Sequence, residues 1–471
     1  MDLDLGIDVG TSRIKVVALA PDGAHRVARA PTPVGTDGTG PVHEPAAVMA
    51  VVESLARTVV SSLPGGRVRA VATASVSEEG VALGGDGQPL YPSLAWYARR
   101  HSATADRFSA THPASATYAV CGLPQDPIQT IFQWAWLNDH APSVLRDMAT
   151  WLSLSGYVAY ALSGGRAMEP SQACRTHLWS PFEAAWQDEW VRAVGGEPSA
   201  LPPVRPAGSV LAPLRSDALP GVARRRDAVV AVGGHDHAVG AWAAGVRAPG
   251  LVLDSLGTAE TLYAVSLPGA RPTEAGRQAC LQHGRAVSVG PGGGSYVLAA
   301  LHSGAGLAAL ARLVGAPLDT LALEAEAVPP GARGMRFDAP LWGDDPRGRL
   351  RRVPLEVTRG ELARAMLEGW GRAAAVALDA VARESGAAPA AVRAIGGGAR
   401  LDLAMRVRAS MLACPLEVVE EPELVALGAA LLARSAVKPS LPAPPLVVRS
   451  VKPVAAWAQA YAAMGEDRDG L

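Results

Sequence analysis

The residues best suited to chemistry cluster in a few short stretches. In Gly233-Gly234-His235-Asp236-His237 two glycines close an apolar strand, and Asp236 stands where the next helix begins. Ligands of α/β sheets bind at such strand-to-helix junctions. The positive end of the helix dipole keeps a carboxylate there ionised and able to accept a proton from a hydroxyl. A plain N-cap role for Asp236 fits the same position. His235 and His237 add imidazoles, but His-x-His with no third ligand nearby is a weak metal signal. Hydrogen bonding to a substrate and packing around Asp236 are their expected roles.

Two Gly-Thr dipeptides sit between apolar runs. Gly10-Thr11-Ser12 separates "LGIDV" from "RIKVVALA", and Gly257-Thr258 separates "LVLDSL" from "AETLYAV". A hairpin tip of this kind offers backbone N–H groups and a hydroxyl with no bulky side chain in the way, so two of them can grip a polyphosphate. Asp8, at the end of its strand, can orient a hydrated Mg2+, which meets phosphates through one or two carboxylates plus water. Capping the turn is its other reading. Gly396-Gly397-Gly398-Ala399 follows a short strand and allows close approach of a flat or phosphorylated ligand, although glycine turns alone are common.

These residues need a scaffold of alternating strands and helices. "RVRAVATAS" (67–75) reads as a strand, 127–140 as a helix with Ile128, Ile131, Phe132 and Trp136 at helical spacing, 359–386 as a long helix and 421–436 as a final one. The class is α/β. With 471 residues, 49% of them hydrophobic, the chain is too long for one ordinary core. The break at 247–250 divides it into domains of 1–247 and 248–437, followed by a surface extension, 438–471. Net charge of -1 offers no footprint for nucleic acid or an anionic membrane. No GxxxxGK[ST] occurs, which excludes a P-loop. The four cysteines are scattered, as expected of reduced thiols. The N-terminus enters a strand directly and no apolar run of about 18 residues occurs, so a cytoplasmic protein is expected.

Taken in order, "GIDVGTSRIKV", "SEEGVAL", "GQPLYPSLAWYARR", "LSLSGYVAYALSG", "VGGHDHAVGAWAAG", "DSLGTAETL", "AIGGGARLDLAMRVRASMLACPLEV" and "EPELVALGAALLA" resemble the FGGY carbohydrate kinases over about residues 3–436. The resemblance implies two ribonuclease-H-like domains of the actin-like ATPase kind with a catalytic cleft between them, closing on ATP. It makes the first domain the acceptor-binding one and the second the nucleotide-binding one. It assigns Gly10, Thr11 and Ser12 to the first phosphate tip and Gly257 and Thr258 to the second. Gly396, Gly397, Gly398 and Ala399 lie against the adenosine, Asp8 acts through Mg2+, and Asp236 is the base that deprotonates the acceptor hydroxyl. The implied partner is a small sugar, polyol or cyclitol, with no nucleic acid and no membrane; a homodimer is carried as an expectation.

The departures lie on the acceptor side. Where W-x-D-x-R is usual, this chain has Trp96-Tyr97-Ala98-Arg99-Arg100, which keeps Trp96 as a pocket residue and loses a carboxylate. Gly156 replaces a frequent aspartate, and 337–350 lacks the usual Gly-Glu-Arg. Glu78 and Glu79 match an acid-containing loop of some members and become acceptor-binding candidates, a solvated turn being the alternative. The rival to a kinase is a nucleotide- or sugar-binding regulator of the same fold.

Overall fold

The computed structural model describes residues 1–257, 259–270, 272–340, 348–441 and 443–465. The chain forms two compact units. The first comprises Met1–Ala243, Val287–Gly294 and Glu423–Pro445; the second comprises Ala244–Ala286, Ser295–Pro422 and the chain from Leu446 onward.

In the first unit, one sheet runs in the order Val210–Pro213, Arg224–His235, Arg67–Ser75, Asp2–Val9, Arg13–Leu19, His25–Pro31. Asp2–Val9 makes an antiparallel hairpin with Arg13–Leu19 and a parallel pair with Arg67–Ser75. Arg67–Ser75 is in turn parallel to Arg224–His235. The register places Val9, Ser75 and His235 side by side, with Asp8, Ala74 and Gly234 in the row behind. Three strands therefore end together at the site edge. Gly233 is required where two of them bulge together, since a Cβ there would lie 1.5 Å from the Thr73 carbonyl oxygen.

The alternation Asp4, Gly6, Asp8 along the first strand does not mark a solvated face. Helix Leu424–Val437 covers it, presenting Ala426 and Ala430 to Gly6, where a Cβ would come within 1.9 Å of the Ala426 carbonyl oxygen. Asp4 is fully buried and receives Arg69 Nε at 3.0 Å, Arg69 Nη2 at 2.7 Å and Arg434 Nε at 2.9 Å. Leaving one member of such a buried pair alone costs about 3–5 kcal/mol. These contacts place 424–437 in the first unit, although the sequence groups it with 248–437.

The second unit repeats the motif. Its sheet sets Ser295–Leu301, Glu260–Val265, Leu251–Leu256, Ala391–Ile395, Leu416–Val419 and Val448–Val451 next to one another in that order. Leu251–Leu256 pairs antiparallel with Glu260–Val265 and parallel with Ala391–Ile395. The hairpin strands are pinned by Arg408, whose guanidinium reaches Asp254 Oδ2 at 2.8 Å and both Glu260 oxygens at 2.7 Å. Helix Arg359–Ser385 starts at a Thr358/Glu361 capping box and stops at Gly386, whose φ is 75°. Among the described residues no single helix is long and apolar enough to cross a membrane.

The segment expected as a surface extension is structural. Val448–Val451 adds an edge strand to Leu416–Val419, and helix Ala455–Gly465 buries Tyr461. The Tyr461 hydroxyl donates to Glu368 Oε1 at 2.9 Å and accepts from Arg364 Nη2 at 2.8 Å, while Trp457 lies 4.2 Å from the same guanidinium. Hydrogen bonds to charged groups contribute about 1.5–3 kcal/mol. Tyr461→Phe is therefore expected to destabilise the second unit by roughly that amount, read as a lower urea midpoint with an unchanged slope. An unchanged midpoint would show that the hydroxyl contributes nothing.

Candidate active site

The first unit brings its sequence-selected residues to one edge of the sheet. Asp236 opens helix Asp236–Ala243 directly after the strand that ends at His235. Its Oδ1 accepts from the His237 backbone N–H at 2.6 Å and lies 3.0 Å from His235 Nε2, which donates to it. Burial opposes ionisation of Asp236, but the attraction of His237 and His235 and these two hydrogen bonds outweigh it, holding the carboxyl well below the usual carboxylate range. The ligand atoms of His235, Asp236 and His237 lie within 4.8 Å of one another. With Oδ1 already taking two donors, the group is better described as an oriented carboxylate than as an open metal site.

Asp8 faces its cross-strand partner Lys15, whose Nζ donates to Oδ2 at 2.8 Å. Burial pushes Asp8 up to about 6 despite Lys15, and the Asp236 charge adds to the rise. Its Oδ1 is buried without a partner. One free oxygen on an otherwise anchored carboxylate suits a hydrated Mg2+. The adjacent tip is a tight turn in which Gly10 N–H donates to the Arg13 carbonyl at 3.2 Å and Thr32 Oγ1 to the Gly10 carbonyl at 2.7 Å. Ser12 remains exposed.

Trp96 ties this tip to the acidic loop. Its indole N–H donates to Thr11 Oγ1 at 2.9 Å, and its backbone N–H to Glu79 Oε1 at 3.0 Å. Glu78 and Glu79 are both buried, so the solvated-turn alternative does not hold. Their environments differ. Burial raises the Glu78 carboxyl, but the Arg175 guanidinium at 2.7 Å, His235 and the Ser77 hydroxyl more than reverse it. Glu79 has no such cation. His43 gives its Nδ1 proton to the Pro33 carbonyl at 2.7 Å, leaving Nε2 without a proton 3.6 Å from Glu79. Burial drives Glu79 to about 8, the Glu78 charge assists, and its Oε2 is unpartnered. Two adjacent carboxyls thus carry different charges at neutral pH.

The second unit joins Gly257 to the glycine run. Cβ atoms on Gly396 or Gly398 would lie 2.7 and 2.8 Å from Leu256, the residue before Gly257, while Gly397 opens to free space. Ala399 is buried in the core, so only its backbone can meet a ligand. Thr258 and residues 341–347, which are half of the stretch 337–350 noted as a departure, lie outside the described residues. Ala98 is buried and precedes the turn Arg99–His101. Sequence reasoning passed over Lys15, Thr32, His43, Glu169 and Arg175. Only Lys15 carries a visible signal, as the one lysine of the apolar strand that follows Asp8.

A sheet edge bearing an oriented carboxylate beside a hydroxyl-lined hairpin tip, with the hairpin repeated in a second unit, is the architecture of actin-like ATPase-fold kinases. Solved structures share the fold. A xylulose kinase from Rhodospirillum rubrum matches with a TM-score of 0.88 at 23% identity, over 99% of this chain and 97% of that one. Plasmodium falciparum glycerol kinase with ADP matches at 0.86 and 17%, over 99% and 97%. Residues 3–243 match the N-terminal domain and 304–437 the C-terminal domain of the FGGY family of carbohydrate kinases, and the chain belongs to that family. It is a carbohydrate kinase, a phosphotransferase. Similar proteins include L-fuculokinase of Escherichia coli K12, 24% identical with 91% of each chain covered. Xylulose kinase of Streptomyces rubiginosus is 30% identical, over 74% of this chain and 70% of the relative.

Glu79 also leaves a mark on stability. Its folded pKa of about 8 lies above the ordinary 4.5, so between those values the folded chain keeps a proton that the unfolded chain has lost. Its contribution is largest at low pH and declines as pH rises through that window, by up to about 1.4 kcal/mol per pH unit. Glu79→Gln should flatten the fall in unfolding free energy measured in urea from about pH 5 to about pH 8. A slope identical to wild type would mean that Glu79 is ionised in the folded protein.

Proposed function

We propose that this kinase transfers the γ-phosphoryl group of ATP to a hydroxyl of a sugar, polyol or cyclitol, with Asp236 as general base. The observation that carries this reading is the state of Asp236: ionised, with Oδ1 held by two donors and at the end of a sheet strand beside Asp8. The other oxygen is left to take the acceptor proton as the oxygen attacks phosphorus. Asp8 is the residue that would hold Mg2+ through its free Oδ1, and the ion supplies neutralisation of phosphate charge when bound. Gly10, Thr11 and Ser12 offer N–H groups and hydroxyls to the phosphates. Gly257, with Thr258 beside it, and Gly396 to Ala399 serve the rest of the nucleotide. Phosphoryl transfer of this kind needs mainly positioning and charge neutralisation.

On the acceptor side, Glu78, Glu79, Trp96, His235 and His237 are the proposed contacts. Ala98 offers methyl surface where the family resemblance leads one to expect a carboxylate, which favours an acceptor with a deoxygenated or bulkier group at that point and disfavours xylulose and glycerol. The similarity to L-fuculokinase supports placing a deoxyketose such as L-fuculose first in a panel.

ADP release over a polyol and ketose panel, with mass spectrometry for a product gaining one phosphate, tests the activity. Asp236→Asn should lower kcat by about 10²- to 10⁴-fold with nucleotide binding retained; activity within threefold of wild type would place the base elsewhere. Ala98→Asp should raise kcat/KM for a fully hydroxylated ketose relative to the preferred acceptor by about 10- to 150-fold, the worth of a hydrogen bond to a charged group. An unchanged ratio in a folded variant would put Ala98 outside the pocket.

A further inference from the structure

Beneath the base lies a buried acid that the reaction as described does not use. Glu169 is 3% exposed and begins the short turn of helix Pro170–Ala173. Its Oε2 accepts from the Ser171 backbone N–H at 2.7 Å and, at close range, from the Ser171 hydroxyl. The fully buried Ser171 Oγ accepts in turn from the His235 backbone N–H at 3.0 Å. The Ser171 hydroxyl thus accepts from the His235 amide and gives its own proton to Glu169 Oε2. The chain of contacts is therefore directional, from the His235 amide through Ser171 to the carboxyl. His235 then holds Asp236 Oδ1 from its side chain.

We propose that Glu169 is a positioning residue for Asp236: through Ser171 it fixes the backbone of His235, and so the aim of the base whose second oxygen receives the acceptor proton. This rests on reading Asp236 as the base. A simple helix cap would need only the contacts within 169–171; the link to His235 adds a partner 66 residues away on the strand that carries the base. The carboxyl is also wedged against that strand, since a Cβ on Gly234 would lie 3.1 Å from Oε2. The other oxygen, Oε1, has no protein partner. Glu169 lines a cavity of about 10 Å³ with Thr73, Ser155, Gly156, Gly233 and Gly234, close to the smallest volume that holds one water. Burial raises the carboxyl to about 8, so at neutral pH it acts as a neutral acid with Oε2 as acceptor. Gly156 borders the same cavity, and Glu169 is the only carboxyl among its lining residues.

The test compares Glu169→Gln, Glu169→Ala and Ser171→Ala with wild type. An amide keeps an acceptor oxygen for Ser171, so Glu169→Gln should retain kcat within threefold, using ATP with L-fuculose. The two alanine variants should lose roughly 10- to 100-fold in kcat, the scale of a misplaced reacting group, with the KM for ATP within threefold. A readout independent of any acceptor is the carboxyl-carbon NMR titration of Asp236, whose midpoint should rise by about one unit in Glu169→Ala and stay put in Glu169→Gln. An Asp236 midpoint unmoved in a folded Glu169→Ala protein would overturn the proposal, as would a Glu169→Gln variant as impaired as Glu169→Ala. Asp236→Asn run in parallel separates the two readings. Loss there with none in Glu169→Ala removes the positioning role alone, and full activity there removes the base and the proposal with it.

Discussion

Placing carboxyl groups out of water at the ends of parallel strands is the constraint on which this structure turns. Each buried carboxylate costs several kcal/mol unless it is paired, hydrogen-bonded or neutralised. The first unit uses all three answers. Asp4 takes two arginines. Asp236 takes hydrogen bonds from an imidazole and an amide. Glu79 and Glu169 keep a proton. Asp8 stands between these cases, with Lys15 on one oxygen and nothing on the other.

This distribution gives the site its division of labour. In the proposed reaction the base is ionised before the acceptor arrives, and the turn His235-Asp236-His237 holds Asp236 in that state. Neutral Glu79 spares the same region a further negative charge, which suits the polyphosphate proposed to approach there. Trp96, bonded at once to Glu79 and Thr11, ties the acidic loop to the first hairpin tip. Behind the hairpins, Arg434 in the first unit and Arg408 in the second fix the strands whose tips carry Gly10 and Gly257.

Much of this was legible in the sequence because it is local. The two antiparallel strand pairs that open the units, the strand 67–75, the long capped helix and the glycines before His235 all follow from residue type and short-range spacing. What escaped is long-range. Glu78 and Glu79 read as equivalent acids until Arg175, 97 residues on, is seen to pair with only one of them. Glu169 looks like a cap until Ser171 meets the amide of His235. The alternating acids of the first strand suggest solvent because the helix that covers them lies more than 400 residues away, and the prolines after Lys438 conceal a strand and a helix that complete the second core.

Neutron diffraction from deuterium-exchanged crystals near pH 7 reads the protons of these carboxyl groups directly. The expected map shows deuterium on the carboxyl groups of Glu79 and Glu169, deuterium on His235 Nε2 facing Asp236, and none on Asp236. Deuterium on Asp236, with Glu79 and Glu169 both bare, would contradict it.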